Sequence, residues 1–282
     1  MASIDSPEPT ALRDIHIDGA MALVNEAGWN QLPFDWRLMR KCGDAIVLQD
    51  LQNGVYATAL ALPYSGGFGW ISMVLVTKAM QRKGLATHLL TDRIAWLCER
   101  NLVPILDATE AGEKLYEKLG FAPGIRLARW QGQGGGTDYN HARIGEANAD
   151  CSDWIERIDT EVFGAKRSDL IDDFINRAGS RCFVSLNSET GFAITRQGER
   201  ATHIGPVIAS CESEAIDLLD AAIGSTDGPV FFDLQENRLE LGAHMSALGF
   251  KKQRAFVRMS LGDMPDFDGK GRAMIIAGPE YG

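Results

Sequence analysis

The strongest constraint on the fold of this 282-residue chain is an internal repeat. The triplet Leu119-Gly120-Phe121 returns 129 residues later as Leu248-Gly249-Phe250. Upstream of each triplet, the residue pattern predicts the same four elements in the same order: a strand, a helix, a short apolar strand and another helix. Because one three-residue match arises easily by chance, the inference of duplication depends on the order of the elements. The length also exceeds that of a usual single core, so two related domains are expected.

The first half predicts helices interleaved with strands. The helix over 85–98 is the clearest of them, because its apolar residues recur at spacings of three to five and form one face. The other predicted elements, in chain order, are helices over 20–26 and 35–41, strands over 45–48, 55–62, 70–76 and 103–106, a helix over 111–119 and a strand over 121–130. This mixture is typical of an α/β or α+β fold.

A glycine-rich stretch separates the two halves. Its first residues offer no side chain able to anchor a core, and such composition behaves as a flexible connection. We therefore predict a first domain over 1–130, a linker over 131–140 and a second domain over 141–282. In the second half, strands are predicted over 202–208 and 230–232. The apolar run 273–277 is also strand-like, and the sequence leaves open which sheet it joins.

Charge and cysteine content narrow the functional classes. The net charge is −10, and the second half carries most of the acidic excess, which disfavours nucleic-acid binding. The five cysteines are scattered without a C-x-x-C spacing, so reduced thiols are expected. Residues 1–10 lack the basic and apolar regions of a secretion signal, and no apolar run reaches the roughly 20 residues of a spanning helix. We expect a cytoplasmic protein that binds no metal, nucleic acid or membrane.

A basic turn precedes the helix over 85–98, and its residues are Gln81, Arg82, Lys83, Gly84, Leu85 and Ala86. The first N–H groups of a helix have no intrahelical partners, the helix dipole adds partial positive charge, and a glycine permits close approach of a ligand. Arg82 and Lys83 add full charges. An ordinary exposed turn has the same features, so this turn alone leaves both interpretations open. P-loop, Rossmann, nucleophile-elbow and H-E-x-x-H patterns do not occur in the sequence.

The first half, over about residues 10–130, resembles the GNAT (Gcn5-related) superfamily of N-acetyltransferases. The family motif is a strand followed by [QR]-x-x-G-x-[GA] at a helix start, and here Gln81-x-x-Gly84-x-Ala86 follows the strand over 70–76. A second motif places a Tyr four residues before a Gly-Phe pair, as Tyr116 stands before Gly120. The chain departs from the family at Lys78, where many members have Pro.

The whole chain is similar to tandem members of the family that keep one intact cofactor loop. The resemblance implies two GNAT-like domains, each a mixed, mostly antiparallel twisted sheet flanked by helices. In the second copy, the stretch 209–215 reads Ala-Ser-Cys-Glu-Ser-Glu-Ala in place of the basic turn. We therefore expect that copy to be degenerate.

The resemblance also implies roles for residues of the first copy. Backbone N–H groups from Gln81 to Ala86 are expected to bind the pyrophosphate of acetyl-CoA. Val74 and Val76 are expected to pair through their backbones with the pantetheine arm, as an added strand does. Tyr116 takes the position of the family's general acid, although its place in an apolar helical stripe would by itself indicate a core tyrosine. An oxyanion donor is expected from a backbone N–H of the strand over 70–76.

Two further assignments come from position along the chain. Asp107 follows the buried strand over 103–106 and is a candidate general base; alternatively, Asp107 or Thr109 caps the next helix and a water molecule accepts the proton. The segment 28–36 between two predicted helices carries candidate acceptor-binding residues, with Asp35 facing a cationic amine. The alternative is a helix connection with Asp35 as a cap and the tryptophans in the core. The candidates are Trp29, Asn30, Asp35 and Trp36.

We therefore predict an acetyl-CoA-dependent N-acetyltransferase. Its acceptor is expected to be the primary amine of a small molecule, such as an amino acid or a polyamine, which attacks the thioester directly. The second copy is expected to shape the acceptor site or a homodimer. Two alternatives stay open: a non-catalytic protein that binds or senses acyl-CoA, and an aminoacyl or peptidyl transferase of the tandem type.

Overall fold

The computed structural model describes residues 8–267 and 269–282. Most of the N-terminal segment on which the export argument depends therefore lies outside the described residues. The chain separates into two compact units, residues 1–104 and residues 105–282. Among the described residues, no helix has both the length and the apolar character needed to cross a membrane.

The first unit is an antiparallel sheet with helices. Its strands follow the order β1-β2-β3-β4. Leu85 and Leu89 of α3 lie in one apolar cluster with Leu48 of β2 and Ala57 of β3, so the predicted apolar face of this helix is confirmed. The elements are β1 (Thr10–Ala11), α1 (Ile17–Ala27), α2 (Pro33–Cys42), β2 (Asp44–Gln49), β3 (Val55–Tyr64), β4 (Phe68–Val76) and α3 (Leu85–Cys98).

The second unit contains the remaining elements, except that the first two residues of β5 belong to the first unit. They are β5 (Val103–Thr109), α4 (Glu110–Lys118), β6 (Ala122–Gln133), β7 (Ile144–Glu146), α5 (Ser152–Phe163), α6 (Ser168–Asn176), β8 (Arg181–Ser185), β9 (Phe192–Arg196), β10 (Thr202–Ile208), α7 (Glu212–Gly224), β11 (Pro229–Gln235), α8 (Leu239–Ala247), β12 (Lys251–Ser260) and β13 (Ala273–Ile275). The strand order is β5-β12-β6-β11-β13-β10-β9-β8-β7. Most pairs are antiparallel, and β10 and β11 are parallel.

The two repeats exchange their last long strands. β12 of the second repeat lies between β5 and β6 of the first, and β6 in turn pairs with β11 of the second repeat. The predicted linker over 131–140 is therefore wrong at its start, because Gln131 to Gln133 complete β6 and pair with β11. The next amide, Gly134 N, donates to Gly228 O at 2.7 Å. These pairings join residues on both sides of the glycine-rich stretch, so the two compact units do not divide there.

The repeated triplets are helix C-caps. Gly120 and Gly249 have φ angles of +92° and +86°, a left-handed conformation that glycine adopts readily after a helix end. In each triplet the phenylalanine N–H returns to the last turn of the helix: Phe121 N donates to Tyr116 O at 3.1 Å and Phe250 N to Met245 O at 3.0 Å. Both phenylalanine side chains are buried. Each triplet thus has the same local structure: a helix ends at a left-handed glycine, and a buried phenylalanine follows.

Candidate functional site

The basic turn between β4 and α3 presents a row of unpaired backbone N–H groups. Within the described residues, the N–H groups from Arg82 to Thr87 donate to no acceptor, and no side chain caps the start of α3. Gln81, Arg82, Lys83 and Gly84 are exposed. Unpaired amides, the N-terminal end of the helix dipole and two cationic side chains therefore meet in one exposed turn. Such an arrangement binds phosphate groups.

Gly84 is the N-cap of α3 and has a φ of +83°. A Cβ atom built on Gly84 meets no other heavy atom within 4 Å. Crowding by the protein therefore does not explain the glycine. The left-handed conformation does, and the open space at this position leaves the backbone accessible to a ligand.

Two contacts hold the turn in place. The Gln81 side chain donates its Nε2 to Val76 O at 3.1 Å, which ties the turn back to the end of β4. The backbone N–H of Lys78 faces both carboxylate oxygens of Glu26 at 3.2 Å. A proline at position 78 would lack this N–H. The departure from the family pattern at Lys78 is thus matched by a carboxylate from α1.

The strand before the turn contains a β-bulge. Leu60 pairs with Ser72 and Thr58 pairs with Leu75, so β4 carries one more residue than β3 over this interval. Met73, inside the bulge, has a φ of +53°, and Thr58 Oγ1 donates to Met73 O at 2.8 Å. A bulge leaves one residue without a partner in the ladder. The bulge thus leaves one residue of β4 unpaired with β3, in the strand where an oxyanion donor is expected.

Val74 and Val76 lie at and just after this bulge. Both side chains are partly buried and pack against the cluster that includes Leu85 and Leu89. Their side chains thus fix β4 against α3, which leaves the backbone as the part of these residues that can interact with a ligand. The predicted role of both valines concerns the backbone alone and stays a prediction.

Tyr116 lies on α4 of the second unit, the helix that begins directly after β5. Its ring is 6.1 Å from that of Phe121, and a Cβ on Gly112 would lie 2.8 Å from Tyr116 Cε2. The absence of a side chain at Gly112 thus makes room for the ring. Burial raises the pKa of Tyr116 above its usual value. The phenol is therefore protonated at neutral pH and able to donate a proton.

Asp107 is neither a helix cap nor an available base. Arg258 donates Nε and Nη2 to its two carboxylate oxygens at 2.9 and 3.0 Å, and both side chains are inaccessible to solvent. Burial raises the pKa of Asp107, whereas the adjacent guanidinium of Arg258 opposes that shift. The cap interpretation fails for Thr109 as well: it is the N-cap of α4, but its side chain makes no capping hydrogen bond.

A second buried ion pair repeats this arrangement and is not evident from the sequence. Arg129 donates to Asp233 at 2.9 and 2.7 Å, and both side chains are buried. Each pair joins an arginine of one repeat to an aspartate of the other, because β6 and β12 are exchanged. Comparing the repeats at matched positions would have indicated that Arg129 is equivalent to Arg258 and Asp107 to Asp233. It would not have shown which arginine pairs with which aspartate.

The acceptor candidates are only partly accessible. Trp36 is fully buried and Asp35 is 4% exposed, with Asp35 Oδ2 accepting from Leu32 N at 2.7 Å. The predicted pocket role is therefore wrong for Trp36, which belongs to the core. Asp35 is not the N-cap that its alternative interpretation proposed: Leu32 is the N-cap of α2, and Asp35 stabilises the first turn from the third helical position. Asn30 is also buried. Trp29 is partly exposed, and its role stays a prediction.

Family models match both halves of the chain. A model described as "Acetyltransferase (GNAT) family" matches residues 12–121, and one described as "Acetyltransferase (GNAT) domain" matches residues 155–270. A relative from Bacillus subtilis (strain 168), the uncharacterized N-acetyltransferase YitH, is 24% identical over 247 residues, which is 86% of each chain.

Solved structures share the fold over nearly the whole chain. A putative acetyltransferase from Pyrococcus horikoshii aligns with a TM-score of 0.82 at 18% identity, covering 100% of this chain and 98% of that one. A tandem GNAT protein from the clavulanic acid biosynthesis pathway aligns with a TM-score of 0.68 at 12% identity, covering 92% and 99%. The two-copy architecture therefore occurs in other proteins of this kind.

Proposed function

Because the chain belongs to the GNAT superfamily of acetyltransferases and carries one such domain in each half, we propose that this acyltransferase moves the acetyl group of acetyl-CoA to the primary amine of a small molecule. One observation carries the proposal: the row of unpaired N–H groups from Arg82 to Thr87, beside two cationic side chains. These donors and positive charges suit a doubly charged pyrophosphate.

The turn and β4 divide the recognition of coenzyme A between them. The N–H groups of Arg82 to Ala86 bind pyrophosphate oxygens, and the side chains of Arg82 and Lys83 add charge. The backbone of β4 at Val74 and Val76 pairs with the amide groups of the pantetheine arm. Acetyl-CoA supplies an acetyl group activated as a thioester.

Transfer of the acetyl group forms a bond from nitrogen to the carbonyl carbon and breaks the carbon–sulfur bond. The amine nitrogen loses one proton, and the departing thiolate gains one. Tyr116 supplies the proton to sulfur, since its phenol is protonated at neutral pH. A backbone N–H of the β4 bulge stabilises the negative charge that develops on the carbonyl oxygen.

The general base is not Asp107 in this proposal. The Asp107 carboxylate is inaccessible to solvent and both of its oxygens accept from the buried guanidinium of Arg258, so it is not exposed to an acceptor. An ordered water molecule accepts the proton of the amine instead. A cytoplasmic location and a homodimer remain predictions.

The test measures thiol release from acetyl-CoA against a panel of primary amines, with Tyr116→Phe as the paired variant. Turnover with at least one amine, lost in the variant while acetyl-CoA binding persists, supports the proposal. Tight binding of acetyl-CoA without turnover of any amine would instead indicate an acyl-CoA sensor. Turnover only with aminoacyl or peptidyl donors would indicate the third class.

A further inference from the structure

The C-terminal strand β13 lies where two parallel strands of the second repeat separate. β10 and β11 pair in parallel at their starts, through Thr202 with Val230 and His203 with Phe231. Farther along, β13 lies between them and pairs antiparallel with both: Ile275 is opposite Val207 on one side and Leu234 on the other. The chain's own C-terminal segment thus fills the gap. The terminal run left unassigned by the sequence therefore joins the sheet of the second repeat.

This segment is buried and held by side chains as well as by the sheet. Met274, Ile275 and Tyr281 are each no more than 2% exposed. Ile276 N donates to Asp233 O at 3.1 Å. Three arginines of the second unit donate to carbonyl oxygens of the segment, at Ala273, Ala277 and Gly282, and they are Arg238, Arg196 and Arg167.

The gap filled by β13 corresponds to the coenzyme A position of the first repeat. Strand pairing equates β10 with β4, since both carry one extra residue relative to the preceding strand. Met73 and Val74 of the β4 bulge correspond to Gly205 and Pro206. A Cβ on Gly205 would lie 2.2 Å from Ile276 O, so glycine permits the close approach of the segment. Pro206 has no N–H, so this position cannot donate a hydrogen bond as Val74 can.

A backbone N–H at the start of α7, the helix of the second repeat that corresponds to α3, already has an acceptor. Glu214, in the first turn of α7, accepts from Ser210 N at 2.6 Å and from Ser185 Oγ at 2.5 Å. Burial opposes ionisation, but hydrogen bonds from Ser185, Ser210 and Thr190 hold the pKa of Glu214 below its usual value. A carboxylate thus takes the place at which α3 presents free amides, and it repels phosphate.

We infer that the C-terminal segment 273–282 is the permanent occupant of the cofactor cleft of the second repeat, where it replaces the pantetheine arm, and that Glu214 replaces the pyrophosphate. The second repeat then binds no coenzyme A, and the chain has one cofactor site. This inference rests on the proposed function for the position of coenzyme A in the first repeat.

Two measurements on the full chain test the inference. Native mass spectrometry counts coenzyme A molecules per chain for the wild type and for Gly84→Val. This substitution adds a β-branched side chain to the basic turn of the first repeat and should block binding there. Hydrogen exchange follows the amides of Ile275 and Ile276 with and without saturating acetyl-CoA. We expect one molecule for the wild type, none for the variant, and slow exchange of both amides in either condition.

Other results would distinguish failure of this inference from failure of the proposed function. Two molecules per wild-type chain, or one retained by Gly84→Val, would overturn the inference. Faster exchange at Ile275 and Ile276 on adding acetyl-CoA would also overturn it, because it would show a removable gate. No binding to the wild type would refute the proposed function, whereas the exchange data would still decide whether the segment is a stable occupant.

A separate observation concerns the acceptor. Arg254 of β12 pairs with Arg129 of β6, and Phe256 lies opposite Thr109, the last residue of β5. Because β12 runs antiparallel to β5, Arg254 lies beyond the carboxyl end of β5, beside the start of α4. Sites in α/β proteins form at this end of their strands. Tyr116, the proposed acid, is on α4.

Arg254 is half-buried and forms no ion pair within the described residues. The charged groups that act on it are two cations, Arg129 and Arg200, and one anion, Asp233, which is already paired with Arg129. Burial lowers the pKa of Arg254 below the usual value and the charge of Arg129 lowers it further, whereas the charge of Asp233 opposes both effects. Its guanidinium carbon lies 6.0 Å from the Phe256 ring. The equivalent residue of the first repeat is Ile125, so the charge is specific to one repeat.

We infer that Arg254 binds a carboxylate of the acceptor, so that the preferred acceptors are amino acids or other amines that carry a carboxylate. This rests on the proposed function. The test compares kcat/KM for amino acids with kcat/KM for the corresponding decarboxylated amines, in the wild type, Arg254→Gln, Arg254→Lys and Arg126→Gln. Arg126 is an exposed arginine on β6 and serves as the control.

We expect Arg254→Gln to lose about tenfold to a hundredfold in kcat/KM for amino acids only, mainly through KM. Arg254→Lys should recover part of that loss, and Arg126→Gln should change neither substrate class. An equal loss for both classes, or none, would overturn the inference. Absence of turnover with every amine would count against the proposed function.

Discussion

Replacing Gly84 with alanine separates the conformational role of this residue from its role in binding. The φ of +83° lies in the left-handed region, where a Cβ costs about 1–2 kcal/mol. The added Cβ meets no heavy atom within 4 Å, so no steric term adds to this cost. We therefore expect the free energy of unfolding to fall by about 1–2 kcal/mol.

The loss in binding should be larger than the conformational cost alone predicts. In the proposed binding mode, the Cβ would stand where phosphate oxygens approach the amides of the turn, and a hydrogen bond to a charged group contributes about 1.5–3 kcal/mol. Loss of one such bond raises the Kd for acetyl-CoA about tenfold to a hundredfold. Calorimetric titration measures the Kd, and denaturant titration measures the stability.

Gly67 provides a matched control. It lies in the turn between β3 and β4 with a φ of +81°, and a Cβ there also meets nothing within 4 Å. Gly67→Ala should lose the same stability as Gly84→Ala and keep the wild-type Kd. If both variants bind acetyl-CoA equally well, the assignment of the turn to the pyrophosphate is refuted.

Three further predictions follow from single residues. Tyr116→Phe should lower kcat by about 10²–10⁴-fold with an unchanged Kd for acetyl-CoA, and a wild-type-like kcat would exclude the phenol as the acid. Arg258→Ala leaves the Asp107 carboxylate buried without its partner and should cost about 3–5 kcal/mol of stability in chemical denaturation; a cost below about 1 kcal/mol would show that the pair is unimportant. Glu214 has a lowered pKa in the folded state, so its contribution to stability is present above the usual glutamate pKa of about 4.3 and is lost as the pH falls through the folded value. Glu214→Gln should remove that part of the acid dependence, and an identical pH profile in the variant would contradict the shift.

Local patterns of apolar residues in the sequence are enough to predict some helices and strands. The helix over 85–98 and the strand over 202–208 have the predicted bounds, because apolar spacing identifies a helix face and a buried strand directly. The order of elements around the repeated triplet likewise predicts two related domains. The glycine-rich stretch is misleading, because strand β6 continues through Gln133 by pairing with β11, a partner about a hundred residues away.

The residues of the candidate site likewise fall into those that the local sequence predicts and those whose role depends on a distant partner. The turn from Gln81 to Ala86 depends on local geometry, namely a strand end, a left-handed glycine and a helix start, and these features are readable in order along the chain. Asp107 cannot be interpreted from its neighbours, because its partner Arg258 is 151 residues away. Trp36 is equally ambiguous, because an aromatic residue in a polar segment has the same pattern whether it faces a pocket or the core.

The sequence by itself therefore determined the duplication, the order of the elements and the basic turn, since each is recognised from local patterns that can be followed or compared along the chain. The tertiary structure decided what depends on distant pairing: the exchange of β6 and β12, the partner of Asp107 and the position of the last residues. The internal repeat explains both outcomes. Duplication makes the two halves locally alike, but only the packed sheet shows that the C-terminal segment lies in the cleft of the second repeat.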